Sequence, residues 1–310
     1  MRAAVTGATG FLGSNLISRW LKSGTKILAI DIRSEKSAIL AEKDVSLVEV
    51  DLSRPQDLRL DLRDVDWLVH FASLSSPKTS VAEPGVASAD ILASKAVFER
   101  AIEDGVRRIL FPSSGGTIYG EPRYMPIDEN HLANPLIPYA TAKLKVERML
   151  LDMCRGTETR PVILRYANPY GPNQYFSRGT GVITYWLEAI RDGGQITMFG
   201  DGSEARDYFF ISDAIDATIS VLEIDAPRDI YNIGSGRATS LNELLTAIEV
   251  ATQLRADVKR LPRRGADAVK AYALDCSRAL RDFGWLPKVP LEDGLKRTWE
   301  WVKKGEQFQI

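Results

Sequence analysis

Two cysteines and two histidines in 310 residues leave little material for a metal centre or a disulfide framework. Cys154 and Cys276 lack the spacing of metal ligands, and the amphipathic stretch around Cys154 marks it as a small buried hydrophobe. A reducing compartment is expected. Net charge is only −1, both signs are interspersed, and no Lys/Arg-rich run is present, so nothing draws the chain to nucleic acid or to an anionic membrane. No apolar run approaches membrane-spanning length, and Met1-Arg2 leads straight into the strand-like Ala3-Ala4-Val5-Thr6 without an apolar signal region. A cytoplasmic protein with a small-molecule partner is the expectation. Internal repeats and low-complexity tracts are also missing.

What is present is an alternation. Short apolar runs recur at Ala3-Val5, Ile27-Ile30, Leu47-Val50, Trp67-Phe71, Ile109-Phe111 and Val162-Leu164, separated by helix-length segments that include long helices near 86–104 and 139–155. Continuous runs between amphipathic stretches describe a buried parallel sheet with crossover helices, an α/β fold of the Rossmann-type, doubly wound kind. After Arg165 the pattern loosens into turn-rich Asn168-Pro169-Tyr170-Gly171-Pro172, and glycines punctuate 193–194 and 200–202. A smaller α/β second lobe should begin there. Tyr208-Ile211, Ala214-Leu222 and Ile230-Ile233 read as strand, helix and strand rejoining the sheet. The expected division is therefore residues 1–167 plus about 207–234 for the nucleotide domain, and 168–206 plus about 235–310 for the lobe.

Gly7-Ala8-Thr9-Gly10-Phe11-Leu12-Gly13 stands between the first strand and a helix running from Phe11 to about Ser23. Glycines there permit a tight turn, close approach of the backbone to a pyrophosphate and close helix–sheet packing, and the helix N-terminus favours the phosphate charge. The next strand ends at Asp31, a carboxylate placed to bond adenosine ribose hydroxyls and to repel a ribose phosphate. NAD is favoured over NADP, although Arg33 close by softens that preference. Asp51-Leu52, after the third strand, are candidates for the adenine. His70 sits at a strand end, where packing of a cofactor loop is expected, and His131 reads as surface loop.

Tyr139 and Lys143 are four residues apart, so on a helix the phenol and the ammonium share a face, where the cation can lower the phenol pKa. Together with the glycine turn, His70-Phe71-Ala72-Ser73, Ser113-Ser114-Gly115-Gly116-Thr117-Ile118-Tyr119-Gly120, Arg165-Tyr166-Ala167-Asn168-Pro169-Tyr170-Gly171-Pro172 and Arg206-Asp207-Tyr208, this pair resembles the extended short-chain dehydrogenase/reductase family, and most closely its nucleotide-sugar 4-epimerase branch. The resemblance covers nearly the whole chain. It implies NAD held by Gly7, Gly10, Phe11, Leu12, Gly13, Asp31, Asp51, Leu52, Phe71, Ala72, Ser73, Tyr139, Lys143 and Tyr166. It also implies a UDP-sugar substrate in the second lobe and a homodimer built on the helices near 86–104 and 139–155. In the implied reaction Tyr139, as phenolate, takes a proton from the sugar hydroxyl at carbon 4 while hydride passes to the nicotinamide; Lys143 holds the phenol pKa down.

Departures from the family pattern are informative. The family usually carries a Ser or Thr four residues before the Tyr-Gly matched by Tyr119-Gly120, and here that position is Gly115; Thr117 is the first candidate to replace it and Ser114 the second. Related dehydratases carry an Asp-Glu pair after that hydroxyl, where this chain has Gly116-Thr117, so no carboxylate serves water elimination. Asp90 stands where the family commonly has Asn, and Ser75 where some epimerases have Lys. By the same resemblance Asn168 and Arg206 bind the diphosphate, Arg264 and Asp267 hold a phosphate and the nucleotide ribose, and Phe199 lies near the base. Ala271, four after that Asp, is small at a position implied to set room beside the sugar, so UDP-N-acetylhexosamines are expected to fit as well as UDP-hexoses. A nucleotide 4-keto-sugar reductase shares the same turn and pair and is the enzymatic alternative. An NAD-bound regulator without turnover is the non-enzymatic one.

Overall fold

The computed structural model describes residues 1–305 apart from 42, 44, 84, 176–180, 225 and 263–268. In chain order the elements are β1 (Arg2–Thr6), α1 (Phe11–Ser23), β2 (Lys26–Asp31), α2 (Glu35–Ala41), β3 (Ser46–Glu49), β4 (Trp67–His70), α3 (Pro77–Ala82), α4 (Val86–Glu103), β5 (Arg108–Ser114), α5 (Pro138–Cys154), β6 (Arg160–Tyr166) and β7 (Asn168–Tyr170). They continue as α6 (Val182–Arg191), β8 (Gln195–Phe199), β9 (Ala205–Phe210), α7 (Ile211–Glu223), β10 (Ile230–Ile233), β11 (Ala238–Ser240), α8 (Leu241–Thr252), β12 (Asp257–Leu261), α9 (Ser277–Phe283) and α10 (Leu291–Lys303).

Seven strands form one parallel sheet in the order β3-β2-β1-β4-β5-β6-β10. Each apolar run of the sequence is one of its strands, because a parallel strand covered by helices on both faces must be apolar on both. All four residues of β4 are buried. One core cluster packs α1 and α7 against one face through Leu16, Ile17, Ala214 and Val221. The other packs α4 and α5 on the opposite face through Val97, Phe98, Val146 and Leu150. The order reverses between β1, which leads to β2, and β4, so the loops leaving their carboxyl ends diverge and open a crevice.

One expected strand goes elsewhere. β10 joins the main sheet beside β6, but β9 does not; it lies between β7 and β11 in a separate three-stranded sheet. The cause is visible in Asp207, which is fully buried and accepts hydrogen bonds from Ser235 N (2.7 Å), Gly236 N (3.1 Å) and Leu274 N (3.0 Å). This carboxylate ties β9 to the turn after β10 and to the segment near 274. Period-two alternation along β9 then sends Arg206 and Tyr208 to the opposite side. β8 and β12 form a further two-stranded ribbon with Phe199 paired to Leu261.

His131 is a second correction. It is buried, not on the surface: its Nε2 accepts from Arg123 N (3.0 Å), so Nδ1 carries the proton that it donates to Leu132 O (2.9 Å). The ring stands edge-on to Tyr119 and organises the long loop between β5 and α5.

Candidate active site

Two cavities of about 520 Å³ each meet at Tyr139, which among the described residues is the one common to their linings. The first runs along the carboxyl ends of β1 to β4. Its lining includes Gly7, Gly10, Phe11, Leu12, Gly13, Asp31, Asp51, Leu52, Phe71, Ala72 and Ser73. Gly7 has φ +68°, and a Cβ there would lie 2.7 Å from Ala72 N; a Cβ on Gly13 would collide with Gly7 O. Only glycine permits the β1 turn to press against both the β4 loop and α1. α1 opens at Phe11 with no capping side chain, which leaves first-turn N–H groups for an anion. Asp31 accepts from Thr9 N (2.7 Å), Thr9 Oγ1 (2.8 Å) and Ile32 N (2.8 Å), so the carboxylate also fixes the glycine loop.

Tyr139 enters on the first turn of α5, directly after Pro138, and Lys143 follows one turn later. Lys143 is only 5% exposed. Its ammonium lies 4.7 Å from the centroid of the Phe111 ring and 5.7 Å from that of Tyr139, and it makes no hydrogen bond or ion pair among the described residues. A buried cation without a partner is costly, and ribose hydroxyls entering from the groove would supply one. The uncapped α1 terminus, the Asp31 carboxylate and this unpartnered ammonium all fit a dinucleotide with free ribose hydroxyls.

The expected depression of the Tyr139 pKa is not what this geometry produces. Burial, reinforced by the negative charge of Asp90, holds the phenol well above its ordinary value. Burial also lowers the pKa of Lys143, against the opposing influence of Asp90 and Glu147. Helical spacing brings the pair together, but desolvation by distant parts of the chain decides the sign. His70 likewise is buried between Thr6 Oγ1 (2.7 Å) and Ser94 Oγ (3.1 Å), and burial pushes its pKa down to about 3. It packs the cofactor side as a neutral ring.

The second cavity is lined by Ser114, Gly116, Thr117 and Asn168, by Glu204, Arg206 and Tyr208 from β9 and its lead-in, and by Tyr272. Thr117 Oγ1 donates to Ser114 Oγ (2.9 Å), so the two hydroxyl candidates form one unit. Gly115 faces away: a Cβ there would lie 2.5 Å from Leu274 Cδ1. Arg206 anchors through Nη1 to the carbonyls of Ala205 (2.9 Å) and Lys270 (3.2 Å), with Glu204 3.7 Å from Nη2.

Several expected site residues are placed differently. Tyr166 is buried in the core with its hydroxyl bonded to Thr218 Oγ1 (2.6 Å), and its side chain lines neither cavity. Asn168 lines the substrate cavity, but its amide nitrogen donates to Asp207 O (3.0 Å) and to the Tyr272 hydroxyl, so its donors are already used. Phe199 ends β8 and is absent from the cavity lining, as is Ala271, which bridges to Ala205. Tyr272, one residue on, takes the lining position. The chain alternates faces here, so a count displaced by one residue selects the wrong side. Arg264 and Asp267 lie outside the described residues.

Residues 3–234 match the family model described as the NAD dependent epimerase/dehydratase family. The chain belongs to that family. A UDP-glucose 4-epimerase of Mycolicibacterium smegmatis is 32% identical over 315 residues, spanning 99% of this chain and 100% of that protein. Among solved structures, the UDP-glucose 4-epimerase of Thermotoga maritima with UDP-glucose superposes with a TM-score of 0.90 at 30% identity, covering 99% of this chain and 100% of that one. The UDP-glucose 4-epimerase of Thermus thermophilus in complex with NAD gives 0.88 at 28%, covering 97% and 98%. A Cβ on Gly116 would collide with the Tyr272 hydroxyl, so the tyrosine occupies the space that an acidic side chain at 116 would need. Among the described residues no group of three or more His, Cys, Asp or Glu side chains could hold a metal ion, and no helix is long and apolar enough to cross a membrane.

Proposed function

We propose that the chain is an NAD-dependent UDP-sugar 4-epimerase that interconverts gluco and galacto configurations through a 4-keto sugar. Tyr139 carries this reading, because among the described residues it alone walls both the dinucleotide groove and the substrate cavity. NAD supplies, when bound, the acceptor for hydride from carbon 4 and a cationic ring beside the groove. Tyr139 removes the proton of the carbon-4 hydroxyl and later returns it, with the Ser114–Thr117 hydroxyl pair in the same cavity to pass it on. Lys143 gains its missing partners from ribose hydroxyls and offsets the phenolate charge. Arg206 meets the diphosphate with the donors its carbonyl bonds leave free. Tyr272 sets the room beside the sugar.

We further infer a cytoplasmic homodimer. α4 and α5 pack side by side, and α4 leaves Leu92 57% exposed on its outer side; a light-scattering mass of one chain at working concentration would refute the dimer. The two cysteines are buried and unpaired, in keeping with a reducing compartment.

Purified protein, without added cofactor, is incubated separately with UDP-glucose and UDP-N-acetylglucosamine while the anomeric protons are followed by NMR. Appearance of a galacto epimer establishes the activity together with retained NAD. Absence of any epimer after NAD is added refutes it.

A further inference from the structure

Behind the machinery described above lies a buried anion. Asp90, on α4, is 4% exposed and accepts three hydrogen bonds, from Ser73 Oγ (2.7 Å), Leu74 N (2.8 Å) and Ser75 Oγ (2.8 Å). Ser73 and Leu74 line the dinucleotide groove. One carboxylate therefore ties that wall to α4 and charges it negatively from beneath. The same charge reaches Tyr139, Lys143 and His70, although no direct hydrogen bond or ion pair joins Asp90 to any of them among the described residues.

Of the other charges that share a cavity with Tyr139, Arg206 and Glu204 pair at 3.7 Å on the substrate side, and Asp31 and Asp51 stand at the carboxyl ends of β2 and β3. His70, on β4, is held neutral by burial. Glu147, one turn beyond Lys143 on α5, is paired through both oxygens with Arg165 of β6, at 3.0 and 2.7 Å. Lys143 and Asp90 are left as the cation and the anion that set the field around Tyr139.

We propose that Asp90 is a positioning residue that acts electrostatically through Tyr139, Lys143 and the nicotinamide: its carboxylate, bonded to Ser73, Leu74 and Ser75, fixes a negative charge behind the groove wall that favours the cationic oxidised ring over the neutral reduced one. The inference rests on the epimerase reading. In the step concerned, hydride leaves carbon 4 for the nicotinamide, the hydroxyl proton goes to the Tyr139 phenolate, and the sugar becomes the 4-ketone. A fixed anion beside the groove favours the cationic ring and so opposes the hydride transfer, while by disfavouring the phenolate it helps the proton transfer; the pull on the ring is taken as the larger. The ketone is thereby kept a minority species, which limits its escape before the hydride returns.

Asp90→Asn removes the charge and keeps the shape, since the amide oxygen can accept from Leu74 N while the serine hydroxyls turn to accept from the amide nitrogen. Asp90→Ala removes charge and tie together. In Asp90→Asn the Tyr139 ionisation seen in the pH–rate profile should move about one unit lower, a tenfold change in ionisation constant. The reduced-nicotinamide absorbance at saturating UDP-glucose should rise, with the urea midpoint and retained NAD unchanged. Asp90→Ala should lose NAD on gel filtration, and Asn should restore it. An Asp90→Asn enzyme with wild-type pH profile and wild-type reduced fraction would reduce Asp90 to a structural tie and overturn the proposal. Should the wild-type protein turn over no UDP-sugar, the epimerase reading fails by itself. Asp90 is then judged by phenolate absorbance of Tyr139, taken as the difference from Tyr139→Phe: a lower midpoint in Asp90→Asn upholds the electrostatic role and an unmoved one ends it.

Discussion

Thr117 donates its hydroxyl proton to the Ser114 oxygen across 2.9 Å in the wall of the substrate cavity. That direction leaves the Ser114 proton free to reach a ligand and leaves Thr117 to hold Ser114 in place. In the proposed reaction the two hydroxyls together stand in for the one missing at Gly115, where a Cβ would meet Leu274. Ser114→Ala should therefore lower kcat about 100-fold, in the range of general acid–base contributions, with Thr117→Ala costing less. The double variant should resemble Ser114→Ala, because groups acting in series are not additive. Steady-state rates on UDP-glucose decide it, and a Ser114→Ala enzyme at full kcat would remove the pair from the mechanism.

Tyr272 combines two duties that a single substitution can separate. Its hydroxyl accepts from Asn168, and that hydroxyl with the ring carbon bearing it fills the space in front of Gly116. Tyr272→Phe keeps the ring and frees the Asn168 amide, so preference between UDP-glucose and UDP-N-acetylglucosamine should stay while KM changes. Tyr272→Ala should raise the relative kcat/KM for the N-acetyl sugar by roughly 10-fold or more, the scale on which pocket volume discriminates. If both variants keep the wild-type ratio, the room beside the sugar is set elsewhere.

Much of this fold is legible along the chain, because β1 to β6 are continuous apolar runs and the glycine turn has strong local requirements. α1 in fact spans the Phe11-to-Ser23 helix expected from the sequence. The losses share a cause. β9 is paired with β7 and β11 across long separations, and what draws β9 from the main sheet is a buried Asp207 collecting N–H groups from residues 235, 236 and 274. The family resemblance places Tyr166 at the cofactor and the local sequence places His131 on a surface loop, whereas Thr218 and Arg123 bind them in the structure. Helical spacing gives the Tyr139–Lys143 pairing but not the sign of its pKa shift, which desolvation sets. Ala271 shows the narrowest miss: alternation makes a one-residue offset a change of face.

The Glu147–Arg165 pair gives a test that is read in stability and not in turnover. Glu147 and Arg165 are 1% and 7% exposed at the side chain, and Arg165 also donates to the Tyr119 hydroxyl (2.9 Å), which in turn donates to Asn232 Oδ1 (2.8 Å). Removing one partner leaves an uncompensated charge between α5 and β6. Glu147→Ala should cost about 3–5 kcal/mol in urea unfolding. Glu147→Ala with Arg165→Met should recover a large part of it, since an apolar replacement no longer buries a lone charge. A double variant as unstable as the single one would show that the pair is worth more than its desolvation.

His70 should make folding acid-sensitive. Its folded pKa of about 3 lies below the ordinary value near 6.5 because burial disfavours the charged ring. Between those two values the unfolded chain binds a proton that the native protein does not. Stability therefore rises with pH through this window, by at most about 1.4 kcal/mol per unit from this one group, and its contribution is flat above it. His70→Gln abolishes that proton uptake and leaves the carboxylates, which titrate over part of the same range, in place. Urea unfolding of both proteins at a series of pH values from 7 to about 4 isolates the difference. The variant should start less stable, having lost bonds to Thr6 and Ser94, and should lose stability more slowly on acidification. Equal slopes would mean that the imidazole is protonated in the folded protein, and with it that the field around Tyr139 and Lys143 contains a second cation.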